Sequence, residues 1–286
     1  MARRSHDPVR RPTVGVQLLA YDGGGDSEPR RRPDKLATEE PMEIRLCGPG
    51  ESPQSVAVTL RTPGHDFELA LGFLHAEGLL GGATELAHIA YCLGEQGDQE
   101  YNVVTVRRRT PVGASITARS FVANSSCGLC GKTTLDDLEQ HCESLAEVPF
   151  LVTPAFVRAL PDRLSVEQTL FDATGGLHAA ALVRADGEIV VLREDVGRHN
   201  AVDKLVGHAL IERHLPLHVC ALVVSGRLGF ELVQKAALAG ISTLFSVGAP
   251  SSMAVATAQR LGQTVVGFVR DDRFNIYTHP QRVSAE

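Results

Sequence analysis

The chain has 286 residues, a formal net charge of −6, 43% hydrophobic and 22% charged residues. That length allows one large domain or two modest ones, and the composition is that of an ordinary globular protein. The acidic balance argues against broad nucleic-acid binding, which wants a basic surface, and no run of about 20 apolar residues offers a membrane span. No apolar signal-peptide core follows the basic start at Arg3 and Arg4, so a cytoplasmic location is expected.

In chain order, residues 1–33 read as a flexible tail. The stretch from Gly23 to Pro33 is Gly-, Arg- and Pro-rich and too polar to offset the cost of ordering. Residues 34–125 read as a small α+β domain. Alternation predicts strands over 43–46, 55–60 and 101–106, and Asp66 is placed to cap a helix that ends near Gly78. Residues 126–140 form a Gly-rich loop and a short helix. Over 141–286, apolar strands at 179–183, 189–192, 219–224, 243–247 and 265–269 alternate with helices at 201–213, 230–239 and 251–261, with Asn200 as a cap. This rhythm predicts a layered α/β domain with a largely parallel sheet.

The six cysteines are Cys47, Cys92, Cys127, Cys130, Cys142 and Cys220. A long chain without an export signal keeps its thiols reduced, so the close pair Cys127-Gly128-Leu129-Cys130 points to catalysis or metal binding. Flanking glycines make its loop permissive, Lys132 adds positive charge, and a following helix turns its N-terminus toward the loop; all three favour thiolate. Three chemistries fit: zinc binding with His141 and Cys142, disulfide exchange, or persulfide carriage. Adjacent His141 and Cys142 are awkward as two tetrahedral ligands, and no second CxxC is present. Gly131-Lys132-Thr133 resembles the end of a P-loop, but the first glycine of that motif would fall at Ser126. His178 lacks the following glutamate of a zinc deaminase.

Several polar loops sit at strand ends. They contain Thr174-Gly175-Gly176-Leu177-His178, the run from Arg193 to Asn200 with Arg198 and His199, Ser225-Gly226-Arg227, and Gly248-Ala249-Pro250-Ser251-Ser252. Strand-end loops of layered α/β folds gather into one ligand crevice, and helix N-termini there attract anions. Arg198, Arg227, Arg270 and Arg273 would complete a pyrophosphate pocket. Taken singly, each is an ordinary turn or a solvated charge.

Taken together, the motifs resemble the FdhD/NarQ family of formate dehydrogenase accessory proteins. The resemblance runs from about residue 41 to the C-terminus. Its carriers are Ser126-Cys127-Gly128-Leu129-Cys130-Gly131-Lys132, Thr174-Gly175-Gly176-Leu177-His178, the run from Glu194 through Lys204, Ser225-Gly226-Arg227, and the run from Arg270 through Tyr277. The resemblance implies a sulfurtransferase that accepts persulfide sulfur from a cysteine desulfurase. The sulfur would pass to Mo-bis(molybdopterin guanine dinucleotide), or its tungsten counterpart, before that cofactor enters formate dehydrogenase. It implies Cys127 as carrier and Cys130 as helper, and a cofactor segment at Phe268, Val269, Arg270, Asp271, Asp272 and Arg273. It also implies a cytidine-deaminase-like fold for the larger domain, a homodimer, and no permanently bound metal. The rival expectation is a chaperone that shelters the cofactor without sulfur chemistry.

Overall fold

The computed structural model describes residues 11–21, 28–93, 99–112, 121–122 and 144–284. The Cys127 and Cys130 loop, its expected helix, His141 and Cys142 lie outside the described residues.

Strands β1 (Thr13–Ala20) and β2 (Arg30–Ala37) pair antiparallel as a separate ribbon, from Thr13 opposite Ala37 to Ala20 opposite Arg30. Within the span 1–33 expected to be a flexible tail, the described residues Thr13–Ala20 and 30–33 are thus paired as strand. The composition argument weighs burial, and burial is indeed slight: β2 is exposed from Arg30 through Leu36. What it does not weigh is backbone pairing, which satisfies the facing amides and carbonyls without a core.

The next region builds a five-stranded sheet in the order β5-β6-β3-β4-β7. Its strands are β3 (Glu40–Cys47), β4 (Gln54–Arg61), β5 (Leu86–Leu93), β6 (Gln99–Arg108) and β7 (Phe121–Val122). Met42, Ile44 and Leu46 repeat with period two and bury one face against helix α1 (Asp66–Ala76), through Leu69, Leu71 and Leu74. Asp66 is the first residue of α1 rather than its cap. His65, in the left-handed region at φ 58°, holds the cap position. The Asp66 carboxylate instead accepts both fork bonds of the buried Arg61 guanidinium, at 3.0 and 2.9 Å. Tyr91 Oη donates to Asp66 at 3.2 Å. Burial, then the Asp66 charge and this bond, push the phenol up to about 12.

The larger region is a six-stranded sheet in the order β13-β12-β11-β10-β8-β9. Its strands are β8 (His178–Arg184), β9 (Ile189–Asp195), β10 (Cys220–Val224), β11 (Thr243–Ser246), β12 (Thr264–Gly267) and β13 (Asn275–Thr278). Alternate residues face opposite layers. Ala180, Leu182, Leu222, Val224, Leu244 and Val265 pack under α4 (Arg198–Ile211), α5 (Phe230–Leu238) and α6 (Ser252–Leu261). Ala181, Val183, Ala221, Val223, Phe245 and Val266 pack under α2 (Pro154–Glu167). A one-turn-and-a-half helix α3 (Thr169–Thr174) then leads into β8. The sheet is mixed rather than largely parallel: β10–β11 and β11–β12 are parallel, whereas β8–β9, β8–β10 and β12–β13 are antiparallel. A short connection of four residues, 185–188, turns β8 into β9 as a hairpin, which a parallel arrangement cannot use.

Helices α1 and α4 cross at backbone contact. A Cβ on Gly72 would strike the Asp203 carbonyl, and one on Gly207 the Glu68 carbonyl. A salt-bridge cluster ties the same crossing. Glu68 accepts from Arg193 Nε and Nη2 at 2.6 and 2.7 Å and lies 3.1 Å from His208 Nδ1 and 3.3 Å from His65 Nδ1. Burial pushes the Glu68 carboxyl up, but the Arg193 and His65 bonds outweigh it and bring it down from 4.5 to about 2. A depressed carboxyl contributes stability above its unfolded value and loses it as pH falls through the folded one. The folded protein should therefore lose roughly 2 kcal/mol between about pH 4.5 and pH 2 at this residue. In urea titrations across that range, Glu68→Gln should start less stable and show a flatter pH slope; an unchanged slope would rule the cluster out.

Candidate functional site

The strand register brings the polar motifs to one edge of the sheet. β8 runs against both of its neighbours, so its start lies beside the ends of β9 and β10: His178 faces Asp195, and Ala180 faces Val224. β11 and β12 run with β10, and β13 runs against β12 with Asn275 facing Gly267. The turns after β9, β10, β11 and β12 and the approach to β8 thus share that edge.

These turns are knitted to one another. Ser225 Oγ accepts from Ala179 N at 2.9 Å, and Ser225 N donates to Ala179 O. Gly248 N donates to Gly226 O, and a Cβ on Gly248 would lie 2.8 Å from that same oxygen, so the two turns meet at a distance only glycine permits. Ser246 Oγ donates toward Gly226 O at 2.7 Å and Gly248 O at 3.1 Å. Phe268, at φ 53°, donates its N–H to Gly248 O, and Val269 donates to Ser246 O. Arg270 Nη1 donates to Val247 O at 2.6 Å, and Arg270 N to Arg273 O at 2.8 Å.

Cationic groups crowd this edge. Burial, then the charges of Arg198, His199 and Arg227, depress the His178 imidazole below its usual range, so it stands neutral among them at pH 7. His199 Nε2 lies 2.6 Å from Glu231 Oε2. Arg227 is exposed. Arg198 Nε is buried and donates to no acceptor among the described residues. A buried, unmatched guanidinium donor is costly unless a further acceptor joins it, and an anion at the edge would supply one.

Beneath the cluster lies a buried polar joint between the two regions. Asp195 and Lys204 are inaccessible to solvent and pair at 2.7 Å. Asp195 also accepts from Gly197 N, Asn200 Nδ2 and Thr62 N, at 2.8, 2.9 and 3.1 Å. Lys204 Nζ donates to Thr62 O at 3.0 Å, and Val196 N to Thr62 Oγ1 at 3.2 Å. Asn200 does not cap α4. Gly197 holds that position, and the Asn200 side chain spans to Leu60 O at 2.8 Å. The joint fixes the turn that presents Arg198 and His199.

Of the expected binding residues, Arg198, His199, Ser225, Arg227, Phe268 and Arg270 come together at the sheet edge, with Asp271, Asp272 and Arg273 exposed on the adjoining turn. Two of these side chains are already engaged in the fold. The Val269 side chain is buried in the core, so only its backbone faces the turn, where it already bonds Ser246. Ser225 Oγ is taken by Ala179 N, although it keeps a proton to donate. Thr62 lies outside every sequence motif, and Asp195 and Lys204 fall within the run from Glu194 through Lys204 with no separate role assigned to either. Among the described residues, no group of three His, Cys, Asp or Glu side chains is arranged to hold a metal, and no helix is long and apolar enough to cross a membrane.

A model of the FdhD/NarQ family matches residues 37–284. A sulfur carrier protein FdhD of Mycolicibacterium paratuberculosis is 49% identical over 257 residues, 88% of this chain and 93% of that one. One from Streptomyces coelicolor is 51% identical over 261 residues, 88% of this chain and 90% of that one. A crystal structure from Desulfotalea psychrophila, described as a formate dehydrogenase accessory protein, aligns with a TM-score of 0.72 at 25% identity, over 95% of this chain and 99% of that one.

Proposed function

Because this chain belongs to the FdhD/NarQ family, we propose that it is a sulfur carrier that serves formate dehydrogenase through the molybdenum bis(molybdopterin guanine dinucleotide) cofactor. Cys127 takes sulfur first. Its thiolate attacks the outer sulfur of a desulfurase persulfide; that S–S bond breaks, a new one forms on Cys127, and the desulfurase thiol is released. Cys130 then attacks the inner sulfur of the Cys127 persulfide. Sulfide leaves toward the cofactor, and a Cys127–Cys130 disulfide remains, which a cellular dithiol reduces. The sequence Cys-Gly-Leu-Cys suits this step, since a CxxC pair closes readily into a disulfide.

The recipient is a substrate rather than a resident group, and its two pyrophosphates are the anions the cationic edge fits. The observation that carries this half of the reading is the buried Arg198 Nε, without an acceptor among the described residues, beside the exposed Arg227. Exposed Asp271 and Asp272 on the adjoining turn suit the guanine amino and imino donors. Holding recipient and sulfur donor on one protein turns an encounter into a local reaction.

Guanosine diphosphate serves as a probe of this edge. Losing a charged hydrogen bond costs about 1.5–3 kcal/mol, so Arg198→Gln should weaken its binding about 10- to 100-fold by calorimetry while leaving the circular dichroism spectrum unchanged. Equal affinity in wild type and variant would remove the edge as the recipient site.

A further inference from the structure

His178 stands within the cationic edge, and the function proposed above gives it no part. It opens β8 two residues before Ala180, so alternation turns its side chain to the sheet face that α4 covers. There it meets the charges of Arg198 and His199, the first two residues of α4. Gly226 closes another side: a Cβ at that position would lie 3.0 Å from His178 Nδ1 and 3.3 Å from Cε1, so the ring packs against the surface that glycine leaves bare. The imidazole is half-buried and enters no hydrogen bond or ion pair among the described residues. Both of its ring nitrogens are therefore open to a ligand.

The charged groups that face His178 come from three elements. Arg198 and His199 belong to α4, Arg227 to the turn after β10, and Asp195 to the end of β9. The run 175–177 that leads into β8 carries no charge. Asp195 is committed to Lys204 and to three hydrogen-bond donors, and His199 lies against Glu231. Arg198 and Arg227 leave the surroundings cationic, and together with burial they hold the ring neutral at pH 7. An arriving diphosphate reverses that balance. Its negative charge cancels the repulsion that opposes protonation. An imidazolium also offers an N–H on each nitrogen, where the neutral ring offers one.

We propose that His178 takes up a proton when a diphosphate binds at this edge and holds the ligand as an imidazolium. This role rests on the recipient edge proposed above and adds the group that responds to the ligand's charge. The proton comes from solvent and forms a new N–H bond on the ring; the ligand itself gains and loses none. A group that binds protons more tightly in the complex contributes affinity at low pH and loses it as pH rises through its value in the complex. Diphosphate binding should therefore tighten as pH falls.

Guanosine diphosphate mannose is the probe, because its pyrophosphate is esterified at both ends and lacks the second proton that titrates near pH 6 in a terminal phosphate. Calorimetry at pH 7 in two buffers of different ionisation enthalpy counts the protons taken up. Wild type should take up most of one proton, and His178→Asn none. Between pH 6 and pH 8 the wild-type affinity should fall about tenfold, while that of the variant stays within about twofold. A merely structural histidine would leave both the proton count and the pH slope unchanged. Binding by wild type without proton uptake, or equal uptake by His178→Asn, would overturn the proposal and leave the recipient edge standing. A wild type that does not bind the probe at any pH would remove the edge itself, and the part of His178 with it.

Discussion

Lys204→Met should destabilise the protein by about 3–5 kcal/mol, the usual cost of stranding one member of a buried ion pair. Asp195 and Lys204 are buried together at 2.7 Å, and methionine fills the lysine volume without its charge. The Asp195 carboxylate would keep its three hydrogen bonds from Gly197, Asn200 and Thr62 but lose its counter-ion. The loss should appear as a lower urea midpoint. Combining Lys204→Met with Asp195→Asn should restore part of it, because the stranded charge is then gone too. A single variant with the wild-type midpoint would show that packing alone holds this joint. The same variant should weaken guanosine diphosphate binding, since Thr62 and Asp195 fix the turn that presents Arg198.

The joint was hard to read from sequence. Asp195 and Lys204 fall nine residues apart, on a strand end and within the following helix, a spacing that matches no helical or strand period. Their meeting depends on the turn at Gly197 and on Thr62, more than 130 residues earlier. Asn200 looked like a cap because Asn before an apolar periodic run usually is one. Here its amide does longer-range service to Leu60, and a glycine takes the cap.

Elements with a strong apolar rhythm were legible. The runs at 179–183, 219–224 and 243–247 became β8, β10 and β11, and the helix placed at 251–261 became α6, with the Ser251 side chain accepting from Ala254 N. Helix α2 was missed. It buries only Val157, Leu160 and Leu164 and carries Pro161 in its interior, so its periodic signal is faint. The Thr153 cap followed by Pro154 at the first helical position was the cue available. Ribbon β1–β2 was missed for the opposite reason: it buries almost nothing, and burial is what composition weighs. The sheet edge was legible as a gathering of strand-end loops, because the ligand crevice of a layered α/β fold follows from its topology. Which turn residues point inward was not. Val269 sits between exposed Phe268 and exposed Arg270, and nothing in that run announces that its side chain enters the core.

The proposed recipient edge is built from side chains placed by the fold, and the proposed donor is Cys127 with Cys130, which lie outside the described residues. The second large effect is therefore expected at Cys127. After incubation with a cysteine desulfurase and cysteine, intact-mass analysis should show one added sulfur atom on the wild-type chain, and none on Cys127→Ala. Cys130→Ala should still load that sulfur but fail to release it as sulfide, because the thiol that displaces it is gone. Formate dehydrogenase matured with Cys127→Ala should be inactive, whereas a carrier that only shelters the cofactor would leave it active. Loading of Cys127→Ala to the wild-type level would contradict the account.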